Sequence, residues 1–274
     1  MRIQIDYATQ YSYQHTARSV VQVLRLTPRS NAGQHVVHWR VDSDPEVRLC
    51  ASEDAFGNAV QTLYVYEPLD RLTLRVSGEV VTTDTSGVLA GTIERLPPEV
   101  YLRSTPLTAV DEALADLARD IEAGEGADPL DRLHALLRRL YQSIAFDTGA
   151  TNATTVGAAA YALRRGVCQD FAHIFIGVAR RMGSPARYVS GHLARSDGRV
   201  EQDAAHAWAE AHVPGLGWIG FDPANGICAS ERHVRIGTAL DYLGAAPVRG
   251  SRVGGGAEHM VVTLKVQEQL QLQC

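Results

Sequence analysis

The chain is short of several things that would have named a function at once. Lys265 is its only lysine, so its other basic side chains are arginines, and none of them cluster into a basic run. With a formal net charge of −5 and a pI of about 6.1, the sequence argues against nucleic acid as the main partner. The longest mostly apolar stretch, Phe171 to Ala179, is too short to cross a bilayer and contains a histidine, so no membrane-spanning segment is expected. The amino terminus, MRIQIDYATQ, alternates polar and apolar residues instead of forming an apolar leader, and a cytoplasmic location is the expectation. The four cysteines, Cys50, Cys168, Cys228 and Cys274, have no CxxC or CxxH spacing, which leaves zinc and iron–sulfur sites without support. No metal or cofactor is expected, and no disulfide framework is needed in a chain of this size.

What is present divides in two. Up to about residue 100 the chain reads as short strands rich in Val, Leu, Thr and Tyr: 2–7, 19–26, 35–41, 47–51, 59–66 and 71–81. Turn residues bound each run, and Phe56-Gly57-Asn58 has the composition of a hairpin turn. Regular spacing of this kind predicts an antiparallel β-sandwich over residues 1–100. After Leu96-Pro97-Pro98 the rhythm changes to threes and fours. Thr108 is the expected cap of one helix and Asp128-Pro129 the start of a second. An alanine-rich helix is expected over 152–165, closed by Gly166, and a strongly apolar one over 168–182. Strands return at 187–193, 204–213, 218–221 and 260–270, and the glycine-rich tract 250–256 reads as a flexible loop. The whole is α+β, with residues 101–274 as the second domain, helices first and an antiparallel sheet after.

Chemistry concentrates in this second domain. Cys168 falls on the first turn of a predicted helix, just after a glycine, where free N–H groups and the helix dipole favour thiolate over thiol. Arg164 and Arg165 either add to that field or point into solvent. In AAHAWAEAH, strand alternation puts His206, Trp208, Glu210 and His212 on one face and the alanines on the other, ready to pack under a helix. Pro214-Gly215-Leu216-Gly217 then turns the chain back, and a hairpin centred there places His206 near Phe221-Asp222-Pro223 to within a residue of register. Cys168, His206 and Asp222 are thus the expected nucleophile, base and orienting carboxylate. Asp170 reads as a helix cap, and Trp208 and Gln169 as candidate walls of the cleft, with core packing an equal reading for Trp208. His173 has no assigned role, and neither do His192, Glu210 and His212.

The segments GVCQDFAH, RYVSGH, HAWAEAHVPGLGWIGFDPANG and PVRGSRVGGG resemble the transglutaminase-like superfamily, in its bacterial branch with an N-terminal β domain. The resemblance implies a papain-like, transglutaminase-like core in which the helix bearing Cys168 packs on the sheet bearing His206 and Asp222. It also implies thiol-dependent acyl transfer on amide or peptide bonds, with a peptide or protein as substrate. Hydrolysis, as in a cysteine protease or amidase, is favoured because excluding water from an acyl-enzyme takes a desolvated site that nothing in the sequence marks. Amine transfer as in a transglutaminase, CoA-dependent acyl transfer and a non-catalytic peptide-binding role are the alternatives. The chain departs from the family where His192, instead of an aromatic residue, follows Gly191.

Overall fold

A computed structural model describes residues 1–269. Cys274 and the end of the strand expected over 260–270 lie outside the described residues.

The N-terminal strands are β1 (Arg2–Thr27), β2 (Gln34–Asp44), β3 (Leu49–Glu53), β4 (Ala59–Val65) and β5 (Leu69–Thr82), followed by the short β6 (Val88–Leu89). Helices α1 (Glu112–Gly124) and α2 (Pro129–Ser143) come next, then β7 (Ala145–Phe146), α3 (Gly157–Leu163), β8 (Arg165–Gly166) and α4 (Cys168–Arg181). The remainder is β9 (Ala186–Leu193), β10 (Glu201–Gln202), β11 (His206–Val213), β12 (Gly217–Asp222), β13 (Ile227–Cys228), β14 (His233–Ala239), α5 (Tyr242–Ala245), β15 (Val248–Gly254) and β16 (Glu258–Glu268).

The two strands expected over 2–7 and 19–26 are one strand of 26 residues. Odd-numbered side chains from Ile3 to Tyr13 face the core, and even-numbered ones from Val20 to Leu26 do so after the bend. The switch falls at a register shift between Ala17 and Ser19, because one extra residue in a strand exchanges its faces. Partners bend with it. β4 and β5 run beside the two halves of β1 on one side, β15 and β16 on the other, and β3 and β2 lie outside β4 and β5. The two layers of the sandwich are therefore halves of one eight-stranded sheet folded across its middle, closed on a core that includes Ile5, Tyr11, Leu24, Leu63 and Leu74.

Strand pairing crosses the expected division at residue 100 in both directions. The chain end returns to the N-terminal sheet through β15 and β16, and β6 leaves it to pair with β12. The supposed loop at 250–256 is mostly strand. Gly250 lies so close to Val21 that a Cβ there would meet the Val21 carbonyl at 2.3 Å, so glycine serves tight pairing, not mobility.

The second sheet has the order β13-β12-β11-β9-β14, with β6 on β12. α4 lies on it, buried from Asp170 to Arg180, with α1 and α2 packed against its other side. Ala207, Ala209 and Ala211 face α4, as strand alternation predicts, and their small size lets the helix approach. Two helix boundaries differ from expectation. α1 is capped by Asp111, whose carboxylate accepts the Leu114 N–H, while Thr108 belongs to a preceding 3-10 turn. α3 starts later than residue 152 and ends at Arg164 in the left-handed conformation, before Gly166.

Candidate active site

Cys168 is the first residue of α4, half-buried, with its own N–H among those that no helical carbonyl can satisfy. The turn that presents it is held by Asp170. The Val167 N–H donates to Asp170 Oδ2 at 2.8 Å and the Thr151 hydroxyl donates to the same oxygen at 2.6 Å. A Cβ at Gly166 would lie 2.6 Å from that oxygen, so GVCQD needs its glycine. Burial raises the pKa of Asp170, against the pull of both hydrogen bonds. Arg164 stacks on Tyr161 and Arg165 reaches Asp147.

His206 opens β11 opposite Gly191 of β9. The β11–β12 hairpin pairs Ala209 with Phe221, which sets Trp208 across from Asp222 and leaves His206 diagonal to that carboxylate. His206 Nε2 donates to Asp222 Oδ2 at 2.7 Å, so Nδ1 is the nitrogen left to face Cys168. Burial acts to lower the pKa of His206, but Asp222 and then Cys168 outweigh it and lift the value to about 10. Asp222, fully buried, is held far below the usual carboxylate range: burial opposes this, and His206 and His233 override burial. His206 thus touches both Asp222 and Cys168, and it lines a cleft of about 240 Å³ between the start of α4 and the N-terminal sheet, with Val167 and Gln169 on either side of Cys168 also in its wall.

Residues 115–223 match the transglutaminase-like superfamily, and residues 3–81 match the bacterial transglutaminase-like N-terminal region. An uncharacterized protein of Mycobacterium leprae is 31% identical over 279 residues, covering 97% of this chain and 98% of that one. The chain belongs to the transglutaminase-like superfamily. A protein-glutamine gamma-glutamyltransferase of Pseudomonas aeruginosa is 31% identical over 156 residues, 52% of this chain and 23% of that protein. The crystal structure of a Cytophaga hutchinsonii protein described as a candidate cysteine protease superposes with a TM-score of 0.76 at 20% identity, covering 98% of this chain and 91% of that chain. At that identity it establishes the shared transglutaminase-like fold.

Around this superfamily core lie groups that sequence reading missed. His233 Nε2 donates to Asp222 Oδ2 at 3.1 Å, and Asn225 donates to the same oxygen through Nδ2 at 2.7 Å. The Asn225 signal was present in the turn Asp222-Pro223-Ala224-Asn225, whereas His233 arrives from β14 with no local motif. His206, Asp222 and His233 are also the one group among the described residues spaced to hold a metal ion. However, His233 Nδ1 accepts the Ser230 N–H at 3.1 Å, which puts its proton on Nε2, aimed at Asp222. That nitrogen is a hydrogen-bond donor here, not a free ligand.

Trp208 does not line the cleft. It is buried with its ring 5.1 Å from His233 and 6.1 Å from His206, the two imidazoles that donate to Asp222. Gly191 makes room for it, since a Cβ there would lie 2.7 Å from the indole and 2.2 Å from the Val234 carbonyl. Gln169 does line the cleft, donating through Nε2 to the Ala153 carbonyl. His192 is buried with its ring 6.0 Å from Tyr7, in the place where the family pattern has an aromatic residue. His173 accepts the Tyr242 N–H and packs on Tyr188, a structural role. Glu210, on the face it shares with His206, binds Arg187 at 2.6 Å and Arg235 at 2.7 Å in a buried network across β9, β11 and β14. His212 packs edge-on against Trp218, away from the cleft.

Proposed function

We propose that the protein cleaves amide bonds in peptides or proteins by thiol acyl transfer, with Cys168 as nucleophile, His206 as acid and base, and Asp222 as the carboxylate that orients His206. The observation that supports it most is the His206 Nε2 to Asp222 Oδ2 hydrogen bond of 2.7 Å on a ring whose pKa Cys168 also raises. In this reading the sulfur attacks the carbonyl carbon and the Cys168 N–H donates to the developing oxyanion, a contact worth roughly 3–4 kcal/mol in such sites. The C–N bond breaks as His206 passes its proton from Nδ1 to the leaving amine. Water then attacks the thioester, His206 takes its proton, and the acid product and thiol are released.

Hydrolysis is favoured because the cleft opens to solvent beside His206, where water competes with any amine. The description of the Cytophaga structure as a candidate cysteine protease agrees with it. Amine transfer is the second reading, carried by the likeness to the Pseudomonas gamma-glutamyltransferase. Incubating the protein with a glutaminyl peptide, with and without a primary amine, separates them. Hydrolysis predicts cleaved or deamidated peptide and no amine incorporation, whereas transfer predicts ammonia release with the amine in the product. Absence of any product that depends on Cys168, across a peptide panel, would sink both.

A further inference from the structure

β16 has one edge that is only partly covered. Just before it, the Ala257 carbonyl accepts the Gln14 N–H at 2.9 Å, and just after it the Gln269 N–H donates to the Arg2 carbonyl at 2.8 Å, both towards β1. The Val266 N–H instead donates away from β1, to the Val200 carbonyl at 3.0 Å. Main-chain groups of odd-numbered residues therefore face β1, and those of even-numbered residues face outward. β10 covers the outward groups only as far as Leu264, which pairs with Gln202. There the chain leaves, bending at Asp203 and Ala204 towards His206. The outward N–H and C=O of Val262 and Met260 have no main-chain partner among the described residues.

This stretch of edge is undefended. Sheet edges are usually guarded by charge, proline or a bulge. From His259 to Thr263 the strand has no Lys, Arg, Asp, Glu or Pro, and its register with β1 is unbroken. Met260 and Val261 are 54% and 44% exposed. The strand's one lysine, Lys265, lies where β10 already covers the edge, and it pairs with Glu201. Space lies alongside as well. Met260 and Val262 are in the wall of the cleft that His206 lines, and Met260 is also in the wall of a cavity of about 390 Å³ between β15 and β16.

We infer that the substrate binds here as an added strand: an extended polypeptide segment pairs through its main chain with Met260 and Val262, and this pairing carries one of its amide bonds to Cys168. The edge offers donors and acceptors at strand spacing, which an extended main chain matches and a helix, its N–H and C=O already used, does not. Such a segment continues the line of β10 past the point where β10 turns away, and so runs beside Ala205 and His206. Selection is then by conformation: unfolded or loop segments are taken and folded ones refused. The wall shared with the cleft favours substrate over a second copy of this chain. The inference rests on the peptide-cleaving reading above, and its test reads binding, not turnover.

Calorimetric titration of the full chain carrying Cys168→Ala uses acetyl-Val-Thr-Gln-Thr-Val-amide and two analogues, N-methylated at both threonines or at both valines. In a strand these two pairs of N–H groups point to opposite edges. One analogue should lose about tenfold or more in affinity, and the other should stay within about twofold of the parent peptide. Hydrogen exchange followed by NMR should slow by about tenfold or more at the Met260 and Val262 N–H on adding peptide, while Val261, bonded towards β1, is protected throughout. Met260→Pro removes one outward donor and leaves the β1 ladder whole, so binding should weaken by about three- to tenfold. Met260→Leu, which keeps the donor, should stay within about twofold. No binding at millimolar peptide, an equal response to both methylations, or no protection at Met260 and Val262 overturns the proposal. Protection that needs no peptide and grows with protein concentration gives the edge to a second copy, and overturns it too. Failure of the cleavage reading shows instead in the products formed by the unsubstituted protein.

Discussion

Asp222 Oδ2 receives two imidazoles, His206 at 2.7 Å and His233 at 3.1 Å, and the carboxylate lies wholly out of solvent. One ring reaches the cleft and the other is locked by Ser230, so the same anion is anchored from behind and orients the ring in front. Asp222→Asn keeps the shape but removes the charge that fixes the tautomer. Turnover of a cleavable peptide should fall by roughly 10³–10⁴, as such substitutions do in related triads. A loss under about tenfold would mean that Asp222 does not orient the base.

His233 acts through Asp222 and touches no substrate. His233→Phe removes one charge-assisted hydrogen bond, a contact worth about 1.5–3 kcal/mol. kcat should drop by roughly 10- to 100-fold with KM little changed, and His233→Gln, which retains a donor, should recover part of the loss. A change in KM alone would mean that His233 shapes binding and not the proton-transfer pair.

Gly191→Ala tests how Trp208 is seated. With the new methyl at 2.7 Å from the indole and 2.2 Å from the Val234 carbonyl, β9 and β14 must part or the ring must move. A stability loss of about 1–3 kcal/mol is expected in urea unfolding, together with quenching or shift of the Trp208 fluorescence. A variant as stable as the parent would show that the close approach is not real.

Glu210→Ala removes the buried partner shared by Arg187 and Arg235 but leaves Arg187 its pair with Glu94 at 2.7 and 3.0 Å. With that pair retained, the loss in urea unfolding should stay at or below about 3 kcal/mol, the lower end for a broken buried pair. The alkylation rate of Cys168 in the folded fraction should stay near that of the parent, because Glu210 touches none of the reacting groups.

His192 gives the fold a pH dependence of its own. Burial first, and His206 second, lower its pKa from 6.5 to about 4. As pH falls from 6.5 to 4 the unfolded chain gains a proton that the folded chain refuses, so stability is lost through that window. His192→Phe should flatten the fall in melting temperature between those pH values. An unchanged acid slope would assign it to the carboxylates or to His173.

Much of this was legible in the chain. The alternation of HAWAEAH, the glycine turn after Val213 and the helix start at Cys168 are local signals, and together they fixed the register that joins His206 to Asp222. What stayed hidden was long-range. His233 comes from a strand whose alternation is broken by a bulge between Arg235 and Gly237. The return of β15 and β16 to β1 is a pairing across most of the chain, and of the glycines that looked like a loop Gly250 is there for close strand contact, while Gly254, Gly255 and Gly256 take the positive φ of the turn between the two strands. For Trp208 the sequence left cleft wall and core packing open, because alternation gives the face of a strand but not how far along it the cleft extends; the side chain is in the core.

The central claim is tested most directly by timed iodoacetamide labelling at pH 6.5, mapped to each cysteine by mass. Cys50 is exposed, Cys168 is half-buried, and burial raises the pKa of Cys228. Accessibility alone therefore favours Cys50. The account predicts that Cys168 is labelled first, by about tenfold or more over Cys50, and that His206→Ala abolishes the lead. Faster labelling of Cys50, or a Cys168 rate indifferent to His206, would contradict it.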